Sequence, residues 1–121
     1  MTALAVITAV HIAALGMIES GNNDRARGTH GEVTRYQIGR AEMRQHPDLR
    51  KDPTNTTLTT KYTLEIWQHR VFHFAAEFNR VPTDLELYIL WNAPAQILHP
   101  HAIVIERAQR FVNLLRAMSE N

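Results

Sequence analysis

The sequence predicts an α+β fold that is mainly α, in one domain spanning residues 1–121. Three observations carry this. Apolar residues recur at helical spacing over long segments near the N-terminus, in the middle and at the C-terminus. Start and stop signals bracket those segments: Gly21, Asp52-Pro53 and a Thr83-Asp84-Leu85-Glu86 capping box. One short stretch between glycine-rich turns carries residues that suit a β-ribbon or an extended turn.

Residues 3–19 form the first expected helix. Leu4, Ile7, Ala14, Leu15 and Ile18 follow helical spacing, and apolar residues fill most other faces, which suits the middle of a core. Gly21 ends it in a left-handed cap. Residues 21–31 are rich in Gly, Asn and Asp and read as turns. Glu32 to Ile38, with Val33, Thr34, Tyr36 and Ile38, suits a short strand or extended turn. A brief helix is expected over Gly39 to Gln45, stopping before His46-Pro47. Asp52-Pro53 reads as an N-cap with Pro in the first turn, opening a helix to about Asn79. Its apolar face is Tyr62, Ile66, Trp67, Val71, Phe74 and Phe78. The Thr83 capping box opens a short helix through Trp91, and Pro94 and Pro100 bracket a loop. A last helix begins near Pro100, with Val104, Ala108, Phe111, Val112, Leu115 and Met118 as its stripe.

Thirteen Lys and Arg against twelve Asp and Glu leave a formal charge of +1, which gives no argument for nucleic acid. The basic residues are skewed, since only Lys51 and Lys61 are lysine. Guanidinium groups suit carboxylates and phosphates, so an anionic polymer fits; an arginine-rich genome fits as well. Without cysteine there are no disulfides, thiol catalysis or Cys-based zinc sites. Ala3 to Ile18 lacks a preceding positive charge and is short for a membrane span, so a core helix is expected there and not a signal peptide or a stable membrane insertion. His69 and His73 stand at helical i, i+4 spacing, but Arg70 follows the first His where a zinc protease carries Glu. No metal or other cofactor is expected.

Glu19 is the sharpest chemical feature. It ends an apolar helix, with Ile12 and Leu15 beneath it on the same face. Desolvation there disfavours the charged carboxylate, and the helix C-terminus pushes the same way. Both effects keep a proton available for donation to a glycosidic oxygen. The competing reading is a solvated glutamate at a helix end.

The segment Ile18-Glu19-Ser20-Gly21-Asn22-Asn23-Asp24 resembles the opening motif of the lytic transglycosylases in the lysozyme-like superfamily. In that family a Glu-Ser pair ends a buried helix and the Glu is the catalytic acid. Gly31-Glu32-Val33-Thr34-Arg35-Tyr36-Gln37-Ile38 is similar to the second motif, a glycine-led segment closing on an aromatic or Met, then Gln, then Ile. Tyr88-Ile89-Leu90-Trp91-Asn92-Ala93-Pro94 resembles the aromatic-Asn-Ala-Gly segment that faces the catalytic Glu across the cleft. The three occur in family order. Glu32 stands where a small residue usually follows the glycine, Trp91 replaces the more usual Tyr, and Pro94 replaces Gly, which suggests a divergent branch.

The resemblance implies a lysozyme-like fold with the small ribbon or extended turn beside its cleft. It implies an enzyme cleaving β-1,4 links of peptidoglycan or a related, chitin-like N-acetylhexosamine polymer, in a periplasmic or extracellular setting. Glu19 would be the general acid. Glu32 could orient water as a base, its structural alternatives being a cap or a salt bridge to Arg35 or Arg40. Asp24, a weaker candidate for that role, also reads as a turn former. Gln37 and Asn92 would bond sugar acetamido and hydroxyl groups, with Ser20, Tyr36 and Tyr88 as secondary contacts and Trp91 as a stacking wall. A helix cap is the alternative for Asn92, and core packing for Tyr88 and Trp91. The rival reading of the whole chain is a non-catalytic glycan-binding module in the same groove. A purely helical interaction domain, with Glu19 incidental, is a third.

Overall fold

A computed structural model of the protein describes residues 6–120. Its elements are α1 (Ala9–Ser20), α2 (Arg40–Arg44), α3 (Pro47–Lys51), α4 (Thr56–Phe78), α5 (Asp84–Asn92), a 3-10 turn (Pro94–Gln96) and α6 (Ala102–Ser119). The mainly helical expectation therefore holds. No helix among the described residues is long and apolar enough to cross a membrane.

α1 begins later than the apolar run suggested. The part of the expected helix at residues 3–5 lies outside the described residues, and Ile7 precedes the helix. Thr8 sets the start: its hydroxyl accepts the His11 amide, and the His11 ring accepts the Thr8 N–H at 3.0 Å. His11 Nε2 also meets Asp84 Oδ1 at 3.0 Å, which pins the start of α1 to the start of α5. At the other end Gly21, at φ 66°, is the left-handed cap.

No β-ribbon forms among the described residues. Val33 makes both isolated bridges, one to Arg27 and one to Ile38. The segment from Thr34 to Gln37 turns between them, with φ of 76° at Thr34 and 58° at Gln37. A chain that reverses this soon cannot lay down consecutive ladder pairs, so the β-compatible side chains are spent on a turn. That turn is tied down at several points. The Ser20 hydroxyl donates to the Arg35 carbonyl at 2.7 Å, Arg35 pairs with Asp24 at 2.8 Å, and Thr56 donates to Asp24 at 3.0 Å.

The middle of the chain also differs from expectation. Pro47, read as a stop, occupies the first turn of α3. The cap of α4 is Asn55 and not Asp52: the Asn55 side chain accepts the Leu58 N–H at 3.0 Å, while Asp52 accepts from the Asn55 amide. α4 closes on Asn79 at φ 56°. The Thr83–Glu86 capping box opens α5 as expected.

The core lies where α6 packs on α1 and α5, and α4 on α5. Trp67, Tyr88 and Phe111 are fully buried at its centre. The Trp67 and Phe111 rings meet edge to face at 6.2 Å, and Tyr88 lies 5.4 Å from Phe111. The indole N–H of Trp67 donates to the Leu87 carbonyl at 2.9 Å. α6 buries Val104, Ala108, Phe111 and Leu115, the heart of its predicted stripe. α4 buries Trp67, Val71 and Phe74 but also Thr59 and Thr63, whose hydroxyls have no hydrogen-bond partner among the described residues.

Candidate active site

Glu19 stands one residue before the end of α1, and its side chain is only 4% exposed. Three donors from two other helices converge on it. Tyr88 O–H donates to Oε1 at 2.8 Å and Asn92 Nδ2 to the same oxygen at 3.3 Å, both from α5. Arg107 Nη2, from α6, approaches Oε2 at 3.4 Å. Burial pushes the Glu19 pKa up, and it outweighs the lowering by Tyr88, Arg107 and Asn92; the charge of Glu32 adds a small upward push. The Tyr88 phenol is raised in turn, first by burial and then by the carboxylate it serves.

The carboxyl lies on the wall of an open groove of about 510 Å³. One side of the groove comes from the turn segment, through Gly28, Glu32 and Gln37. The other comes from the helices, through Trp91, Asn92 and Arg107. Arg70 reaches across from α4 and donates to the Leu90 and Trp91 carbonyls at 3.0 and 2.9 Å, satisfying the end of α5. Its guanidinium lies 5.3 Å from the Trp91 ring, and Glu42 stands 4.0 Å away. Arg70, itself on the groove lining, thus fixes the Trp91 wall.

The structure sorts the residues singled out in the sequence. Glu19, Glu32, Gln37, Trp91 and Asn92 share the groove. Asn92 is the last residue of α5, and its side chain points at Glu19. Ser20, Tyr36 and Tyr88 stand behind the wall. Ser20 holds the turn onto α1 by bonding Arg35 and the Asn23 N–H. Tyr36 is buried, with its hydroxyl on Thr60 at 3.0 Å and its carbonyl accepting the Trp91 indole N–H at 2.8 Å. Tyr88 is fully buried and reaches the site only through its hydroxyl on Glu19. Glu32 forms no ion pair with Arg35 or Arg40; its Oε1 accepts the His30 N–H at 2.8 Å. Asp24 is held away by Arg35 and Thr56, and its pKa is lowered chiefly by the Arg35 hydrogen bond. His69 and His73 bond each other at 3.0 Å, and no cluster of three metal-binding side chains occurs among the described residues.

Sequence reasoning passed over Glu42, and it passed over two further charged groove residues, Arg107 and Arg70. A signal for both arginines was present: each interrupts an apolar stripe, Arg107 between Val104 and Phe111, Arg70 between Trp67 and Phe74. An arginine on a helix face that should be buried asks for a partner.

Comparison of the chain with family models, with curated proteins and with solved structures returns no match.

Proposed function

We propose that the protein cleaves β-1,4 glycosidic links in peptidoglycan or a related N-acetylhexosamine polymer, with Glu19 as general acid. The single observation that carries this reading is the buried Glu19 carboxyl on the groove wall, its pKa raised while two donors hold Oε1. Among the described residues Oε2 meets only Arg107, at the outer limit of hydrogen-bond distance, so it is the less engaged of the two oxygens. Protonation of the glycosidic oxygen breaks the bond to the anomeric carbon, and the electron pair leaves with that oxygen. The positive charge is met by the acetamido oxygen of the substrate. An internal hydroxyl then attacks, returns a proton to Glu19 and closes an anhydro sugar; attack by water gives hydrolysis instead. Arg107 stabilises the carboxylate left between the two proton transfers.

One observation favours the rival reading of a glycan-binding module. All three donors around Glu19 favour its charged form, as they would for a carboxylate with a structural task. Turbidity loss on purified cell walls, followed by mass analysis of released sugars, separates the two. An anhydro product supports transglycosylation and a reducing end supports hydrolysis. Saturable binding without release supports the module.

A further inference from the structure

A second cavity of about 390 Å³ lies behind the turn segment that walls the groove. Neighbours in the chain face opposite ways: Gly28, Glu32 and Glu42 face the groove, while Arg27, Gly31 and Met43 face this cavity. Its floor is apolar, from Val33, Met43 and Pro53. Four exposed arginines, Arg27, Arg40, Arg44 and Arg50, contribute to its lining, and no carboxylate lines it.

None of the four makes an ion pair with any described residue. The nearby acids are engaged elsewhere. Glu42 faces Arg70, Asp48 accepts from Tyr62 at 2.6 Å, and Asp52 accepts from Asn55. The whole chain carries a formal charge of only +1, so four unpaired cations around one cavity are a local concentration against an otherwise balanced surface. Gly31 shapes this lining. Its φ of +84° suits glycine, and a Cβ there would run into the Arg40 guanidinium, which lies against the bare backbone.

We propose that this cavity binds a ligand carrying two or more phosphate charges. Guanidinium forks match phosphate oxygens two at a time, and four exposed arginines on one lining have the reach to turn theirs toward such a ligand. Two sources share this chemistry: a free diphosphate, and consecutive phosphodiesters of a polymer. The site is independent of the reading given to the groove.

Titration of the intact protein with inorganic pyrophosphate, followed by amide NMR and calorimetry at fixed ionic strength, tests it. Saturable one-to-one binding is expected, with the largest shifts at Gly31 and Met43. Arg44→Ala/Arg50→Ala should weaken it at least tenfold. Arg44→Lys/Arg50→Lys keeps the charge but not the forks, and should bind more weakly than wild type. A glycerol-phosphate oligomer run in parallel identifies the source: tighter binding than pyrophosphate assigns the site to a polymer, weaker binding to a free diphosphate. Shifts spread over the surface without saturation, alanine variants within twofold of wild type, or acetate competing equally at matched ionic strength would each overturn the proposal. Because cell-wall cleavage is not the readout, an inactive groove leaves this test intact.

Discussion

Glu19→Gln separates the chemistry of the site from its architecture. Gln is nearly isosteric, and its carbonyl can replace Oε1 as acceptor for Tyr88 at 2.8 Å and Asn92 at 3.3 Å. Its amide then faces Arg107, so one long charged contact is lost. That contact is worth less than about 1 kcal/mol, because it is at 3.4 Å and the Arg107 side chain is 35% exposed. Against this, Gln removes the burial penalty on a carboxylate. The sign follows from the raised pKa. Between the unfolded value of 4.5 and the higher folded value the folded protein binds more protons, so wild-type stability falls as pH rises through that window. Glu19→Gln abolishes this slope, so its melting temperature should gain on wild type between pH 4 and pH 8. Turnover on cell walls should drop by roughly 10²–10⁴-fold or more, the loss typical of a missing proton donor. Thermal melts across that range and a turbidity assay supply both readouts. Near wild-type turnover in the folded variant refutes the general-acid assignment. A stability difference independent of pH refutes the electrostatic argument beneath it.

Further substitutions report on the groove and the frame. Asn92→Ala removes a long hydrogen bond and should cost about 1 kcal/mol, roughly fivefold in kcat/KM on cell walls, with little change in melting temperature; lost stability with intact turnover would return Asn92 to a helix-end role. Glu32→Gln should suppress turnover if the released sugars carry reducing ends and spare it if they are anhydro, and the opposite pairing would exclude Glu32 as base. Thr63→Val deletes a buried hydroxyl without a partner among the described residues and should stabilise by about 1 kcal/mol, read as a rise in melting temperature. Glu86 has its pKa lowered to about 2, first by the Arg80 hydrogen bond, so its contribution is present above 4.5 and lost as pH falls through 2. Glu86→Gln should therefore cost about 1 kcal/mol at neutral pH, allowing for the half-exposed Arg80, and the difference should vanish only below the folded pKa of about 2.

The helices were legible where a local signal sets an end. Gly21, Asn79 and the Thr83–Glu86 box act within one turn of chain, and α6 buries the centre of its stripe. Reading failed where two local signals compete. Asp52 and Asn55 are both residue types that suit an N-cap, one turn apart; Asn55 caps α4, and Asp52 accepts the Asn55 side-chain amide instead. Thr8 and His11 form a capping box without the usual Glu or Gln, so the true start of α1 was hidden inside an apolar run. The segment through Thr34–Gln37 reads equally as a short strand or an extended turn, because β-branched and aromatic side chains suit any half-buried extended backbone, and the structure takes the turn.

The candidate site divides along the same line. Glu19, Glu32, Gln37, Trp91 and Asn92 lie near the ends of helices or in turns, where a polar residue in a short motif is visible against its neighbours. Arg107 does not, because its partner is 88 residues away in the chain and no local pattern connects them. Yet Arg107 alters how Glu19 must be understood. Burial favours the protonated carboxyl, and the Tyr88 hydrogen bond on Oε1 is the largest effect opposing it. The Arg107 guanidinium, at the edge of contact with Oε2, adds a second push toward the ionised form from the other oxygen, and burial still outweighs the two. For the general-acid role proposed for Glu19, an effect that favours the ionised form eases the loss of a proton that burial alone would hold.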